Sequence, residues 1–167
     1  MGDRTYVTLA ILTAQVEEAK PIIIKHNGEP NGEYIPCADE NYPQLSHFYF
    51  TEVNYGNLHG LDELIAKGIA FDSRWESGYS YGAGQRSVRF DVSGNVIDQE
   101  IYDSDDGPTL VELRPAMRIC EPLERLAALE EIILKKEEEL YTLPLNEKQI
   151  EYGKFYRTRQ LIFLPDS

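Results

Sequence analysis

The sequence predicts an α+β fold: an antiparallel or mixed sheet of about five strands, with helices packed mainly on one face. Three observations predict it. Short β-branched and aromatic runs alternate irregularly with helical segments, so the strands are not separated by helices at the regular spacing of a doubly wound sheet. Two of the runs, 86–92 and 96–102, flank the tight turn Ser93-Gly94-Asn95 and so read as a hairpin. A long amphipathic stretch, 122–140, follows them.

Tyr6–Leu12 (YVTLAIL) is rich in β-branched and aliphatic residues and reads as a buried first strand. Thr13 stands where an N-cap belongs. Ala14–Lys20 follows as a helix that Pro21 should end or kink, and Ile22–Lys25 reads as either a strand or a continuation of that helix. His26–Gln44 holds Asn27-Gly28, Pro30, Asn31-Gly32, Pro36 and Pro43, and reads as a loop enclosing a short strand at Glu33–Ile35.

His47–Tyr55 alternates as a strand does, and Gly56-Asn57 breaks it. Leu58–Lys67 places Leu58, Leu61, Leu64 and Ile65 on one helical face, with Gly68 as its C-cap. Ile69–Trp75 is the next strand, and Ser77–Gln85 a loop rich in glycine and tyrosine. Leu110–Ile119 carries Pro115 in its middle and fits no single element. Pro122 suits the first position of the helix running to Leu140, and the favoured reading packs that helix on its own sheet. One further helix and a strand or packed extension at Gln160–Leu164 complete the tail. A ferredoxin-like arrangement is a candidate for Tyr6–Tyr102.

The 167 residues suit one domain, with a core over 5–102 and a helical part over 108–164. Apolar residues are 42% and charged residues 27% of the chain, as in ordinary globular domains. Cys37 and Cys120 read as two reduced, mostly buried thiols, with a single bridge between them as the alternative. The first residues lack the basic and apolar regions of a signal peptide, and no apolar run approaches the ~20 residues of a membrane span. A cytoplasmic protein that avoids membranes is expected.

The net charge of −13 is unevenly placed. Residues 26–66 contain seven acids and no Lys or Arg, and residues 90–113 again contain seven acids and none; the remaining residues hold fifteen acids against sixteen bases. If the two base-free segments meet, they form a face that attracts basic partners and repels nucleic acid. The candidate face comprises Glu52, Asp62, Glu63, Asp98, Glu100, Asp103, Asp105 and Asp106. The plain alternative is an acidic surface that keeps the chain soluble.

A second candidate partner surface is aromatic: Arg74, Trp75, Tyr79, Tyr81 and Arg86 surround the Ser77–Gln85 loop. Arg and aromatic side chains dominate binding hot spots. The plain alternative buries the Trp in the core and packs the tyrosines on strands.

Catalytic signatures are missing. There is no G-x-S-x-G, H-E-x-x-H or C-x-x-C, and His26, His47 and His59 do not fall at metal-ligand spacing. Asp103–Gly107 resembles the start of a calcium loop, but Pro108 stands where Gly is needed and Arg114 where Glu is needed. The glycines of 77–85 match neither a P-loop nor a dinucleotide fingerprint. No cofactor, metal or catalytic residue is therefore assigned.

The expected function is that of a non-catalytic acidic protein, monomer or homodimer, which binds and inhibits a basic or nucleic-acid-binding protein in the manner of a DNA mimic or an immunity protein. One alternative is an enzyme with a loop-built acid–base site around Glu76, Tyr81 and Arg86, drawing on Glu52 or Asp72 and on His47 or His59. Another is an assembly subunit that self-associates through 122–140.

Overall fold

The structure, a computed structural model, describes residues 3–34, 44–103, 108, 110–140 and 142–162. Strand β1 (Arg4–Leu12) leads through a 3-10 turn (Thr13–Gln15) into helix α1 (Val16–Asn27). Then come β2 (Gly32–Tyr34), β3 (Leu45–Asn54), α2 (Leu61–Ala66) and β4 (Phe71–Trp75). The hairpin β5 (Gly84–Phe90) and β6 (Val96–Tyr102) follows, and the chain closes with α3 (Leu110–Met117), α4 (Pro122–Leu140) and α5 (Lys148–Ile162).

The described strands form one sheet in the order β2-β3-β1-β4-β5-β6, antiparallel at every pairing. The fold class is thus α+β, with six strands rather than five because the three-residue β2 adds an edge. Read from the other side, the first four strands run 4-1-3-2 with α1 and α2 in the two crossovers. That is the ferredoxin-like β-α-β-β-α-β unit, extended at its β4 edge by the β5–β6 hairpin.

Alternation assigns the two faces of the sheet. Val7, Leu9 and Ile11 of β1 stand in register with Phe50, Phe48 and Ser46 of β3 and with Trp75, Ser73 and Phe71 of β4. These apolar residues form the main core with Ala19, Ile22 and Ile23 of α1 and with Leu61 and Leu64 of α2. A second cluster gathers Leu12, Ala70, Phe90 and Leu145 against Ile150, Tyr152 and Tyr156. There α5 docks: the Gln149 side chain accepts from the Phe90 amide at 2.7 Å and donates to its carbonyl at 3.2 Å. Arg157 reaches Glu18 of α1 at 3.1 Å.

Several local expectations are corrected. Pro21 lies inside α1 rather than ending it. Pro21 is exposed, so the backbone carbonyl its missing N–H frees faces the solvent side. Thr13 does not cap the helix; its hydroxyl shares a 3.0 Å hydrogen bond with Ser46 across the sheet. Leu110–Met117 is a helix with Pro115 inside. Residues 160–162 continue α5 instead of forming a strand. The short second strand is at Gly32–Tyr34, and residue 35 lies outside the described residues.

The thiol of Cys120 is free and exposed, not buried, and Cys37 lies outside the described residues. The apolar stripe of α4 is also not buried on the sheet. Helix α4 packs with α3, while Leu123, Leu126, Ile133 and Leu134 remain exposed. Among the described residues no helix is long and apolar enough to cross a membrane.

His47 sits on the sheet face opposite the main core, with Asp72 as a neighbouring charge. Desolvation holds its imidazole below the ordinary value near 6.5, and Asp72 offsets only part of that. A base whose folded pKa is lowered binds fewer protons folded than unfolded. Its neutral-state stability is complete above about 6.5 and is lost as pH falls from there toward the folded pKa. Denaturant midpoints at pH 7.5 and 5.5 check this: the wild-type loss exceeds that of His47→Gln, and parallel losses would remove His47 as the cause.

Candidate functional site

The site is a cleft at the end of the sheet where β4, β5 and β6 meet the turn after β3. It begins with Trp75, the last residue of β4, whose side chain lies on the main-core face and is 8% exposed. Room for its indole comes from two glycines. A Cβ on Gly84, directly across β5, would stand 2.6 Å from the ring, and one on Gly56 would stand 2.7 Å from the Trp75 Cβ. Both are closer than any real contact allows, so the indole fits only because these positions carry no side chain. The indole N–H donates to the Gly82 carbonyl at 3.0 Å.

The loop 76–83 is tied down in three places. Besides the indole bond, Asp3 accepts from the Ser80 amide at 2.6 Å and from its hydroxyl at 3.0 Å. The Gly78 amide donates to the Tyr81 carbonyl at 3.1 Å. These contacts set Tyr81 beside Tyr55, ring centres 6.0 Å apart, while Trp75 meets Tyr102 edge-on at 5.8 Å. The hydroxyl of Tyr81 is buried and has no hydrogen-bond partner among the described residues.

Tyr55 is held at φ +53°, a left-handed conformation that costs a residue with a Cβ about 1–2 kcal/mol. Its amide donates to the Asp3 carbonyl at 2.8 Å. Tyr55 is 57% exposed at the rim of the cleft, with its ring against Tyr81.

The polar wall comes from β5, β6 and α2. Period-two alternation puts Asp98, Glu100 and Tyr102 on one side of β6, and Glu100 stands opposite Arg86 of β5. Arg86 grips Asp98 with two hydrogen bonds of 3.0 and 2.7 Å and reaches Asp62 of α2 at 3.4 Å. The Asp98 hydrogen bond is the largest influence raising its pKa further. Glu100 accepts the Tyr102 hydroxyl on one oxygen at 2.6 Å. Tyr55, Trp75, Tyr81, Arg86, Glu100 and Tyr102 line a cavity of about 230 Å³.

Of the aromatic candidates, Trp75, Tyr81 and Arg86 line this cleft. Tyr79 is fully exposed, and Arg74 lies on the other sheet face, 3.9 Å from Asp103. Of the acidic candidates, Asp62, Asp98 and Glu100 gather here, so the two base-free segments meet at Arg86. Glu52 pairs with Arg4 instead. Glu63 is bonded by His26 and Lys25, which hold its carboxyl below the usual range. Asp105 and Asp106 lie outside the described residues.

The acid–base set of the enzyme alternative is dispersed. His47 and Asp72 are on the opposite sheet face, and Glu76 is exposed and absent from the lining. His59 is fixed by backbone bonds to Asn27 and lies with Glu52 along a separate open groove. Among the described residues no group of three or more His, Cys, Asp or Glu is placed to hold a metal ion.

Sequence reasoning missed Tyr55 and Tyr102. The signal for Tyr102 was present, since Asp98, Glu100 and Tyr102 fall at period two on a predicted strand. Tyr55 had none, because its contact with Tyr81 depends on strand order. The chain matches no protein-family model, no curated protein and no solved structure.

Proposed function

We propose that this protein is a non-catalytic binding protein that captures a basic surface of another protein at the cleft beside β6. The observation that supports this reading is the gathering of Asp62 and Asp98 on one guanidinium, Arg86, with Glu100 opposite Arg86 on β6 and lining the cavity. Three carboxylates and one cation leave this group of side chains, beside the cavity, with a net charge of −2. The adjoining aromatic rings supply the flat apolar contacts that anchor interfaces. A partner of opposite charge is drawn in over several ångströms and oriented before contact. Where its basic surface is one that holds nucleic acid, occupancy by this protein blocks it.

Trp75 is the only tryptophan and reports on the cleft directly. Its fluorescence is expected to respond to a lysine-rich peptide and not to a neutral peptide of equal length. The affinity should fall steeply between 50 and 300 mM salt. The double variant Asp62→Asn with Glu100→Gln should bind about tenfold more weakly, the scale of losing charge-assisted contacts. Equal binding of the neutral peptide, or an unchanged affinity in the double variant, rules the reading out.

A further inference from the structure

We propose that the cleft takes the alkylammonium end of a lysine side chain and discriminates against arginine. This rests on the reading of the cleft as the site for a basic partner and adds the chemical group it selects.

Three features argue for it. First, the walls present four aromatic side chains, Tyr55, Trp75, Tyr81 and Tyr102, contributed by four separate stretches of chain. Convergent aromatic rings attract a cation through their electron-rich faces and cover the methylenes of a lysine stem.

Second, the carboxylate that remains for a ligand is single-sided. One oxygen of Glu100 is taken by the Tyr102 hydroxyl. Both oxygens of Asp98 are taken by the fork of Arg86. An incoming guanidinium needs two parallel acceptors to use its fork, and among the described residues the cavity lining offers one carboxylate, Glu100, with one oxygen already engaged. An ammonium is a compact point charge with rotatable donors and is satisfied by one.

Third, Arg86 already fills the guanidinium position in the wall. A second guanidinium would lie against it with only one Glu100 oxygen to bond, whereas a compact ammonium is served by that single oxygen.

The strained Tyr55 makes the idea testable apart from stability. Asn tolerates a φ of +53° better than Tyr does, so Tyr55→Asn relieves strain while removing a ring from the cleft.

The experiment uses the full chain and three short peptides that differ at one central residue: lysine, arginine or norleucine. Binding is followed by Trp75 fluorescence and by the side-chain resonances of the cleft tyrosines, at low salt, with a lysine-rich polypeptide as a separate arm. The lysine peptide is expected to bind with a Kd on the order of 1–10 mM. The arginine peptide should bind at least about fivefold more weakly, and the norleucine peptide not detectably. Glu100→Gln should lower lysine affinity about tenfold. Tyr55→Asn should lower it about threefold without lowering the melting temperature.

Arginine binding as tight as lysine, or Glu100→Gln binding as tight as wild type, overturns the inference. If the lysine-rich polypeptide binds but the single-lysine peptide does not, selection of one ammonium is overturned and the basic-partner reading survives. If neither binds, both fall.

Discussion

Replacing Arg89 with Leu is expected to lower the unfolding free energy by about 3–5 kcal/mol. Arg89 is 3% exposed, and each of its five N–H groups has an acceptor. Nε donates to the Leu143 carbonyl at 2.6 Å, and Nη1 to the carbonyls of Phe71 and Val88 at 2.9 and 3.0 Å. Nη2 reaches both oxygens of Asp72 at 2.8 and 2.9 Å. One buried side chain thus joins β4, β5 and the segment before α5.

The loss comes less from the attraction removed than from what is left behind. The Asp72 carboxylate stays in the sheet without its counter-charge, and the Leu143 carbonyl loses its donor. Lysine should rescue little, because it has neither the fork nor the reach to three carbonyls. Removing the stranded acid as well, in Arg89→Leu with Asp72→Leu, should recover more than 1 kcal/mol. Urea unfolding followed by Trp75 fluorescence measures all three. A single-variant loss below about 1 kcal/mol would show that the network adds little.

Gly153→Ala is expected to be the next most damaging change. Gly153 of α5 and Gly68, in the turn after α2, meet backbone to backbone, and a Cβ on either one would run into the carbonyl of the other. Alanine by itself favours a helix over glycine by about 1 kcal/mol. Overpacking against a backbone that cannot rotate away costs about 3 kcal/mol, the upper end of the usual range. The net expectation is a loss of about 2 kcal/mol. Because α5 carries Gln149, Arg157 and Arg159, the change should unseat the whole helix. Amide exchange then tells the cases apart. Protection should drop across 148–162 and persist in β1 and β4. Unchanged protection in α5 would mean that the turn yields instead.

Much of this architecture can be read from local pattern. The limits of β6 and α4 follow from a turn signal and a helix-starting proline, both confined to a few residues. Pro21 misled because its penalty depends on which way the freed carbonyl faces, a property of packing. The α4 stripe misled for the same reason: helical periodicity shows that a face is apolar, not that something covers it.

In the cleft, Trp75, Tyr81 and Arg86 were visible as an unusual cluster along the chain. The meeting of the two acidic segments was not. It requires α2 to lie over β5, where the Arg86 side chain joins Asp62 to Asp98, and nothing in the local sequence marks Arg86 as central.

The place of β1 between β3 and β4 has a consequence for how the chain is made. Its partners are far away in sequence: Arg4 pairs with Asn54, and Val7 with Trp75. Neither edge of β1 is satisfied until those residues exist. At ribosomal speeds of about 5–20 residues per second, the stretch from Leu12 to Trp75 takes about 3–12 s to emerge. Val7–Leu12, the most apolar strand of the sheet, waits with both edges open until Asn54 is made and with one edge open until Trp75 is made. The β5–β6 hairpin, by contrast, closes within microseconds of its synthesis. The newborn chain is therefore most prone to aggregate before the sheet has its middle, and a chaperone that shields the first dozen residues would raise the yield of folded protein.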